Sequence, residues 1–463
     1  MGAALVCSVG FTATHANLDA AIRTLMGTER VPGLSFAVVR GGRIVRTGSY
    51  GFANLEWKTP VSVHTKFEIA SISKMFAGAA ARILIEDGKL DPESPVGAYF
   101  HGIPDSWRGM KVRHLITMSS GLPEDFGNDT IPYDQDVATI FDDASMVRSF
   151  FNLEMPSPVG TRFHYSGPNY AMLGLIVANV SGVPFADFVR QHVFIPAAMT
   201  ESSYIDHAAI VPERAEGYRR TASGDMRKGR YLAQYLHARA DVGVLTSAGD
   251  LARWLIALEQ GRVVREPEKL WEPTTSDAGR RLDYAYGWFQ DTWLGHRRFQ
   301  HSGGYRTGFR TFIARYPDDD LGVVVLTNSD FASLSDYLDL IVRQYITDVP
   351  KLDAAAMEHD TDPAETARSI RALQSLARGS IDESIMFADA ADPFGADAIA
   401  GILKGTGPYR YAGRARVRER GLTMHGHRLV SYDVLALPDG ARTHFAALYR
   451  DATGKIAFLE LIE

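Results

Sequence analysis

The chain has 463 residues, long enough for about two or three domains. A formal net charge of −6 with both signs interspersed excludes the basic excess of a nucleic-acid binder. The one cysteine, Cys7, excludes an intrachain disulfide or a cysteine metal site, and the scattered histidines contain no His-Glu-x-x-His on which a zinc hydrolase could rest.

Residues 2–16 are small or apolar, carry no acid or base apart from His15, and end in Thr14-His15-Ala16. This matches the apolar region and small-x-small end of a signal peptide, although its basic leading segment is missing; residues 1–16 are therefore read as a signal-peptide remnant, and a periplasmic or secreted location is expected over a cytoplasmic one. No other apolar run approaches the length of a membrane span. Leu18, Ile22 and Leu25 predict a short amphipathic helix over residues 17–26. Two β-branched runs, 33–40 and 43–50, joined by Gly41-Gly42, predict a hairpin. From Ser71 to about residue 85 the chain is rich in Ala, Met, Leu and Ile, with only Lys74 and Arg82 charged. That composition predicts a helix buried on most of its circumference, starting at Ser71 and stopped by Asp87-Gly88 and Asp91-Pro92. Short helices and polar loops follow. Strand character returns at 284–292, 297–301, 308–316 and 321–328, ahead of a helix over 333–346. Strands at both ends with helices between them predict an α+β fold: an antiparallel sheet flanked by helices, an inserted helical lobe, and a cleft where the two meet.

The Pro-, Asp- and Ala-rich stretch 347–359 marks a boundary, giving domains at 17–348 and 360–463. The tail predicts helices at 363–377 and 396–403, then three or four strands over 410–463 with turns at Asp439-Gly440 and Thr453-Gly454. It reads as a small α+β module of its own.

A serine at a helix start is ordinarily an N-cap. Lys74, three residues on, shares a helical face with Ser71, and an ammonium on an apolar surface loses solvation, which lowers its pKa and lets it take a proton from a neighbouring hydroxyl. Two later stretches supply partners. Tyr165 stands on a loop just before the apolar helix predicted at 170–180, and His301 falls at a strand end ahead of Gly303-Gly304. Taken singly, a packing tyrosine and a turn histidine are the ordinary readings.

Taken in order, these stretches resemble the serine β-lactamase and penicillin-binding fold, most closely its class C-like branch of D-aminopeptidases, D-amino acid amidases, alkaline D-peptidases and family VIII esterases. The three motifs of that group fall on Ser71-Ile72-Ser73-Lys74, Tyr165-Ser166-Gly167 and His301-Ser302-Gly303. Further matches are Tyr50-Gly-Phe-Ala-Asn-Leu55, His114-Leu-Ile-Thr-Met-Ser-Ser-Gly-Leu-Pro123, Gly243-Val-Leu-Thr-Ser-Ala-Gly-Asp-Leu-Ala252 and Tyr286-Gly-Trp288, so the resemblance covers residues 18–347. The tail looks like the cystatin-like or NTF2-like modules appended to some of these hydrolases.

The resemblance makes Ser71 the nucleophile, activated by Lys74 and Tyr165 as a coupled base pair, with the oxyanion held by the backbone N–H groups of Ser71 and Gly304. No metal or organic cofactor is implied. The partner is a small peptide or ester, with no nucleic acid and no membrane span, and the oligomeric state is open. Two positions depart from the family pattern. Gly167 replaces an asparagine whose role is vacant or passes to Asn169 or Ser166. His301 replaces the lysine of lactamases proper and is mostly neutral at pH 7, so a substrate carboxylate loses a permanent cation unless Arg306 reaches it; a protonated His301, titrating near its reference value of about 6.5, is expected to assist anionic substrates only at lower pH. Both changes favour a peptidase or amidase on short peptides, those with D-residues included. A carboxylesterase or weak β-lactamase is the alternative, and a non-catalytic peptide- or penicillin-binding sensor is the competitor of another class.

Overall fold

The computed structural model describes residues 8–124, 143–206, 208–221, 223–229, 240–305, 307–349, 360–391, 395–417, 423–424, 427–439 and 442–462. The chain forms two compact units, one of Met1–Phe289, Phe299–Arg315 and Asp320–Tyr345, the other of Gln290–Arg298, Tyr316–Asp319 and Ile346–Glu463.

The main sheet has eight strands: β1 (Gly33–Arg40), β2 (Arg43–Asn54), β3 (Thr59–Pro60), β4 (Tyr284–Ala285), β5 (Trp288–Trp293), β6 (His296–Tyr305), β7 (Phe309–Tyr316) and β8 (Leu321–Thr327). Their order is β4-β5-β6-β7-β8-β1-β2-β3, so the early hairpin sits beside the last strand, with Ala37 opposite Val324. Gly41 and Gly42, at φ +59° and +65°, make the tight turn that the Gly-Gly pair predicts. Helices α1 (Ser8–Glu29), α2 (Lys74–Glu86), α3 (Gly167–Ser181), α4 (Ala248–Glu259) and α5 (Leu334–Val342) frame the sheet. Strands β1 and β8 are buried almost throughout because helices cover both faces, which is why they read as unbroken apolar runs. Ala37, Val39, Val324 and Leu326 join one core with α2 and α4, while α5 and α1 pack on the other side. Phe76 of α2 meets Phe194 and Trp254 with ring centres 5.1 Å away in each case, which anchors that helix in the lobe.

The first helix and one of the late strands depart from the predicted pattern. The first helix runs over Ser8–Glu29 rather than 17–26, because neither Pro nor Gly interrupts the chain between Phe11 and Met26, so Thr14-His15-Ala16 lies inside it. The strand predicted at 284–292 is divided into β4 and β5 by a left-handed turn at Tyr286 (φ +51°) and Gly287 (φ +84°). That turn abuts α2: a Cβ on Gly287 would lie 2.5 Å from the Lys74 carbonyl carbon, and one on Gly78 would lie 2.2 Å from the Tyr286 oxygen.

In the second unit, α6 (Pro363–Leu376) begins with Pro363, and the Asp362 side chain caps it by accepting from the Glu365 N–H at 3.0 Å. With α7 (Gly395–Leu403) it covers an antiparallel sheet, β9 (Arg410–Arg416), β10 (His427–Asp439), β11 (Arg442–Asp451) and β12 (Ile456–Ile462), through Leu373, Leu376, Leu403, Leu435 and Leu448. Gly454, at φ +78°, makes the expected turn between the last two strands, whereas Gly440 lies outside the described residues. The unit is not contiguous in sequence, since it takes in the β5–β6 turn. Tyr432 donates its hydroxyl to the Leu294 carbonyl at 2.8 Å, and the N–H of Gly295 donates to the Tyr449 oxygen at 3.0 Å.

Candidate active site

Ser71 lies in a 3₁₀ turn, Ala70–Ser73, that runs straight into α2. The helix therefore starts three residues later than its composition predicts, and Ser71 is not its cap. In a 3₁₀ turn residues three apart eclipse each other, which brings Lys74 over Ser71: its Nζ donates to the Ser71 Oγ at 3.1 Å. Lys74 is 1% exposed, while Ser71 is only half-buried.

The turn is entered through Ala70 at φ +48°, a left-handed conformation costing an L-residue about 1–2 kcal/mol. Three neighbours hold it. The strand Phe67–Glu68 pairs with Val244–Thr246, the Ile69 N–H donates to the Val244 carbonyl at 3.1 Å, and the Val244 N–H donates back to the Ser73 Oγ at 3.1 Å. The Thr311 hydroxyl donates to the Ile69 carbonyl at 3.0 Å. Gly303 on β6 lets the strand press against that same carbonyl, since a Cβ there would lie 2.0 Å from the oxygen. Gly304 follows, exposed, on the stretch of β6 that outruns the shorter β5.

Lys74 makes a second hydrogen bond, to the Asp241 carbonyl at 3.1 Å, and its Nζ stands 5.1 Å from the centre of the Tyr165 ring. Burial pulls the lysine pKa down, as the composition predicts. The facing Tyr165 oxygen and the Asp241 and Glu124 carboxylates outweigh that effect, so the pKa is raised rather than lowered. Burial likewise raises the Tyr165 phenol, and its hydrogen bonding with Ser71 and Lys74 does not bring it back. At rest both groups hold their protons.

His301 also departs from expectation. Its ring is 1% exposed, and burial, followed by the Lys74 charge, pulls its pKa down to about 3. Nδ1–H donates to the Ser302 carbonyl at 2.6 Å, which leaves Nε2 to accept from the Tyr284 hydroxyl at 3.3 Å. The ring packs among Tyr165, Tyr284 and Phe289, with centres 5.2–5.9 Å apart. It is a neutral part of an aromatic wall, not a cation titrating near neutrality. Arg306 lies outside the described residues.

The place left by Gly167 is not filled by its neighbours. Ser166 Oγ donates to the Pro123 carbonyl at 2.8 Å. Buried Asn169 donates to the Ser166 carbonyl at 3.2 Å and accepts from Ser120 Oγ at 2.5 Å. The Gly167 N–H instead donates to both oxygens of Glu124, at 3.2 and 3.3 Å. The structure thus brings Ser71, Lys74, Tyr165 and His301 together and adds Glu124, Tyr284 and the Asp241 carbonyl, none of which was given a place in the chemistry by the sequence. Glu124 had a signal, as an acid directly after the Ser119-Ser120-Gly121-Leu122-Pro123 turn stretch. Asp241 had none, because its carbonyl and its carboxylate act on Lys74 only once the fold brings the two distant stretches together.

The Beta-lactamase family model matches residues 18–344. Penicillin-binding protein 4* of Bacillus subtilis (strain 168) is 27% identical over 356 residues, covering 71% of this chain and 76% of that protein. The octameric penicillin-binding protein homologue from Pyrococcus abyssi has a similar fold, with a TM-score of 0.64 at 21% identity over 96% of this chain and 98% of that one. D-amino acid amidase from Ochrobactrum anthropi SV3 matches with a TM-score of 0.59 at 22% identity, over 71% and 98% of the two chains.

Proposed function

Because the chain belongs to the Beta-lactamase family, we propose that it is a serine hydrolase that cleaves amide or ester bonds through an acyl-enzyme on Ser71, and that its substrates are short peptides or amino-acid amides, D-residues among them. The observation that carries this reading is the hydrogen bond from buried Lys74 to the Oγ of half-exposed Ser71, with the Tyr165 phenol beside both.

In the resting site Lys74 and Tyr165 are both protonated, and they titrate as a pair. Loss of one proton from the pair leaves a base facing Ser71 Oγ. That base takes the serine proton as Oγ bonds to the substrate carbonyl carbon, and the oxyanion is received by the backbone N–H groups of Ser71 and Gly304. The pair returns the proton to the leaving amine or alcohol as the acyl-enzyme forms. Water then attacks the ester, and Ser71 recovers its hydrogen. The neutral His301 and the carboxylate at Gly167 support substrates without a fixed negative charge over β-lactams. The D-amino acid amidase fold among its structural relatives points the same way. We assign no chemistry to the second unit, because every group with a role lies in the first.

Intact-mass measurement after treatment with a fluorophosphonate should show one adduct, located on Ser71 and missing from Ser71→Ala. An adduct that persists in that variant would place the nucleophile elsewhere. A panel of D- and L-aminoacyl amides, p-nitrophenyl esters and nitrocefin should give turnover on the amides and esters and little on nitrocefin. Efficient nitrocefin hydrolysis with inert amides would reverse the substrate order.

A further inference from the structure

The site holds a carboxylate that this mechanism does not use. Glu124 is half-buried, and both its oxygens accept from the N–H of Gly167, the first residue of α3 and the second after Tyr165. Gly167 has no side chain, so the polar group at this corner of the cleft is the carboxylate of Glu124 rather than a neutral amide. The amino end of a fifteen-residue helix favours negative charge there. The charge is also felt by the reacting groups, because Glu124 is among those that push both Lys74 and Tyr165 upward. A carboxylate has about four acceptor positions, and it repels any anion brought close to it.

We infer that Glu124 is a specificity-determining residue: it draws into the cleft acyl groups carrying an ammonium beside the scissile carbonyl and turns away those carrying a carboxylate there. The inference rests on the hydrolase reading for the site it serves and adds a charge rule to it. An aminoacyl amide has the fitting charge, whereas its N-acetylated form has lost it. One charge-assisted hydrogen bond corresponds to about a ten- to hundredfold preference.

The test is calorimetric and needs no turnover. With the full chain carrying Ser71→Ala, D-alaninamide should bind at least about tenfold more tightly than N-acetyl-D-alaninamide, by the same charge-assisted bond. Adding Glu124→Gln should erase the difference by weakening D-alaninamide alone. Equal affinities with Glu124 present, no detectable binding of either compound, or a preference that survives Glu124→Gln would each overturn the inference. The hydrolase reading fails on different data. Fluorophosphonate labelling of Ser71 without an ammonium preference removes only the role of Glu124, while an ammonium preference without labelling leaves a binding cleft and removes the hydrolase.

Discussion

Buried charge occurs in both units, and it is used differently in each. In the second unit Asp433, fully buried, accepts from Ser369 Oγ of α6 at 2.7 Å, from Arg414 of β9 at 2.5 Å and from Arg450 of β11 at 2.9 Å. Arg450 is paired in turn with Glu365. Each partner comes from a different element, so the cluster ties the helix to the sheet and closes on itself. Lys74 in the first unit is as deeply buried and likewise bonded, to Ser71 and to the Asp241 carbonyl. Its cluster ends in a half-exposed hydroxyl, is entered through a strained alanine, and is approached by two glycines that let backbone come within atomic contact. Burial of a charge therefore does not mark a reactive site by itself. The open hydroxyl and the strain beside it do.

The largest effects should separate the two clusters. Lys74→Arg keeps a cation but cannot give up its proton, so turnover should fall by roughly 10²–10⁴-fold in steady-state assays. Wild-type turnover, corrected for background hydrolysis, should rise with pH toward the alkaline side, since burial keeps Tyr165 protonated at neutrality, Tyr165, Asp241 and Glu124 keep Lys74 protonated against its burial, and only the pair that has lost a proton acts as base. Near-normal turnover in the arginine variant, or a rate that falls as pH rises, would remove the pair from the chemistry. Asp433→Ala should do the opposite. It leaves two arginines facing each other in the interior, which costs about 3–5 kcal/mol of stability, visible as a lower Tm, while Ser71 in the folded protein labels at its usual rate. Loss of labelling below the transition would show that the second cluster supports the site.

A smaller effect tests the close approach of β6. Gly303→Ala puts a methyl group 2.0 Å from the Ile69 carbonyl, so either β6 or the turn that carries Ser71 has to move. A displacement of about 1 Å at a nucleophile costs on the order of a hundredfold, which the labelling rate reads directly. Ser302→Ala, at an exposed position on the same strand, is the control and should label normally. If Gly303→Ala labels as fast as wild type, the turn is not held by this contact.

The parts legible in the sequence were those written in local pattern. Gly41-Gly42 could be read because both residues need positive φ, and β1 and β8 because burial on both faces leaves them apolar throughout. Ser71, Lys74, Tyr165 and His301 were legible through spacing and order. What escaped depends on distant segments meeting. Nothing in Ala70 announces a left-handed conformation, and the break at Tyr286-Gly287 exists because that turn packs against α2. The direction of the Lys74 pKa is a sum over Tyr165, Asp241 and Glu124, three separate stretches, whereas the apolar neighbours in its own helix point the other way. The second unit takes in the β5–β6 turn through Tyr432 and Tyr449, a pairing that linear composition does not contain.

The smallest expected effect is none, and it concerns His301. A histidine at the third motif has the reference pKa to act as a cation near neutrality, and it would then favour anionic substrates below about pH 6.5. Here the ring is sealed among Tyr165, Tyr284 and Phe289, with both nitrogens occupied, and its pKa lies at about 3. At pH 6 only about one ring in a thousand is protonated, so no useful cation forms in the range where the protein can be assayed. The ratio of kcat/KM for a carboxylate-bearing ester to that for its neutral counterpart should therefore stay level from pH 5 to pH 8, roughly the window in which a histidine at its reference pKa would titrate. An inflection in that ratio near the reference value, removed by His301→Gln, would mean that the ring reaches the substrate. A level ratio leaves the sign of the cleft to Glu124, which keeps its carboxylate at the amino end of α3 whatever His301 does.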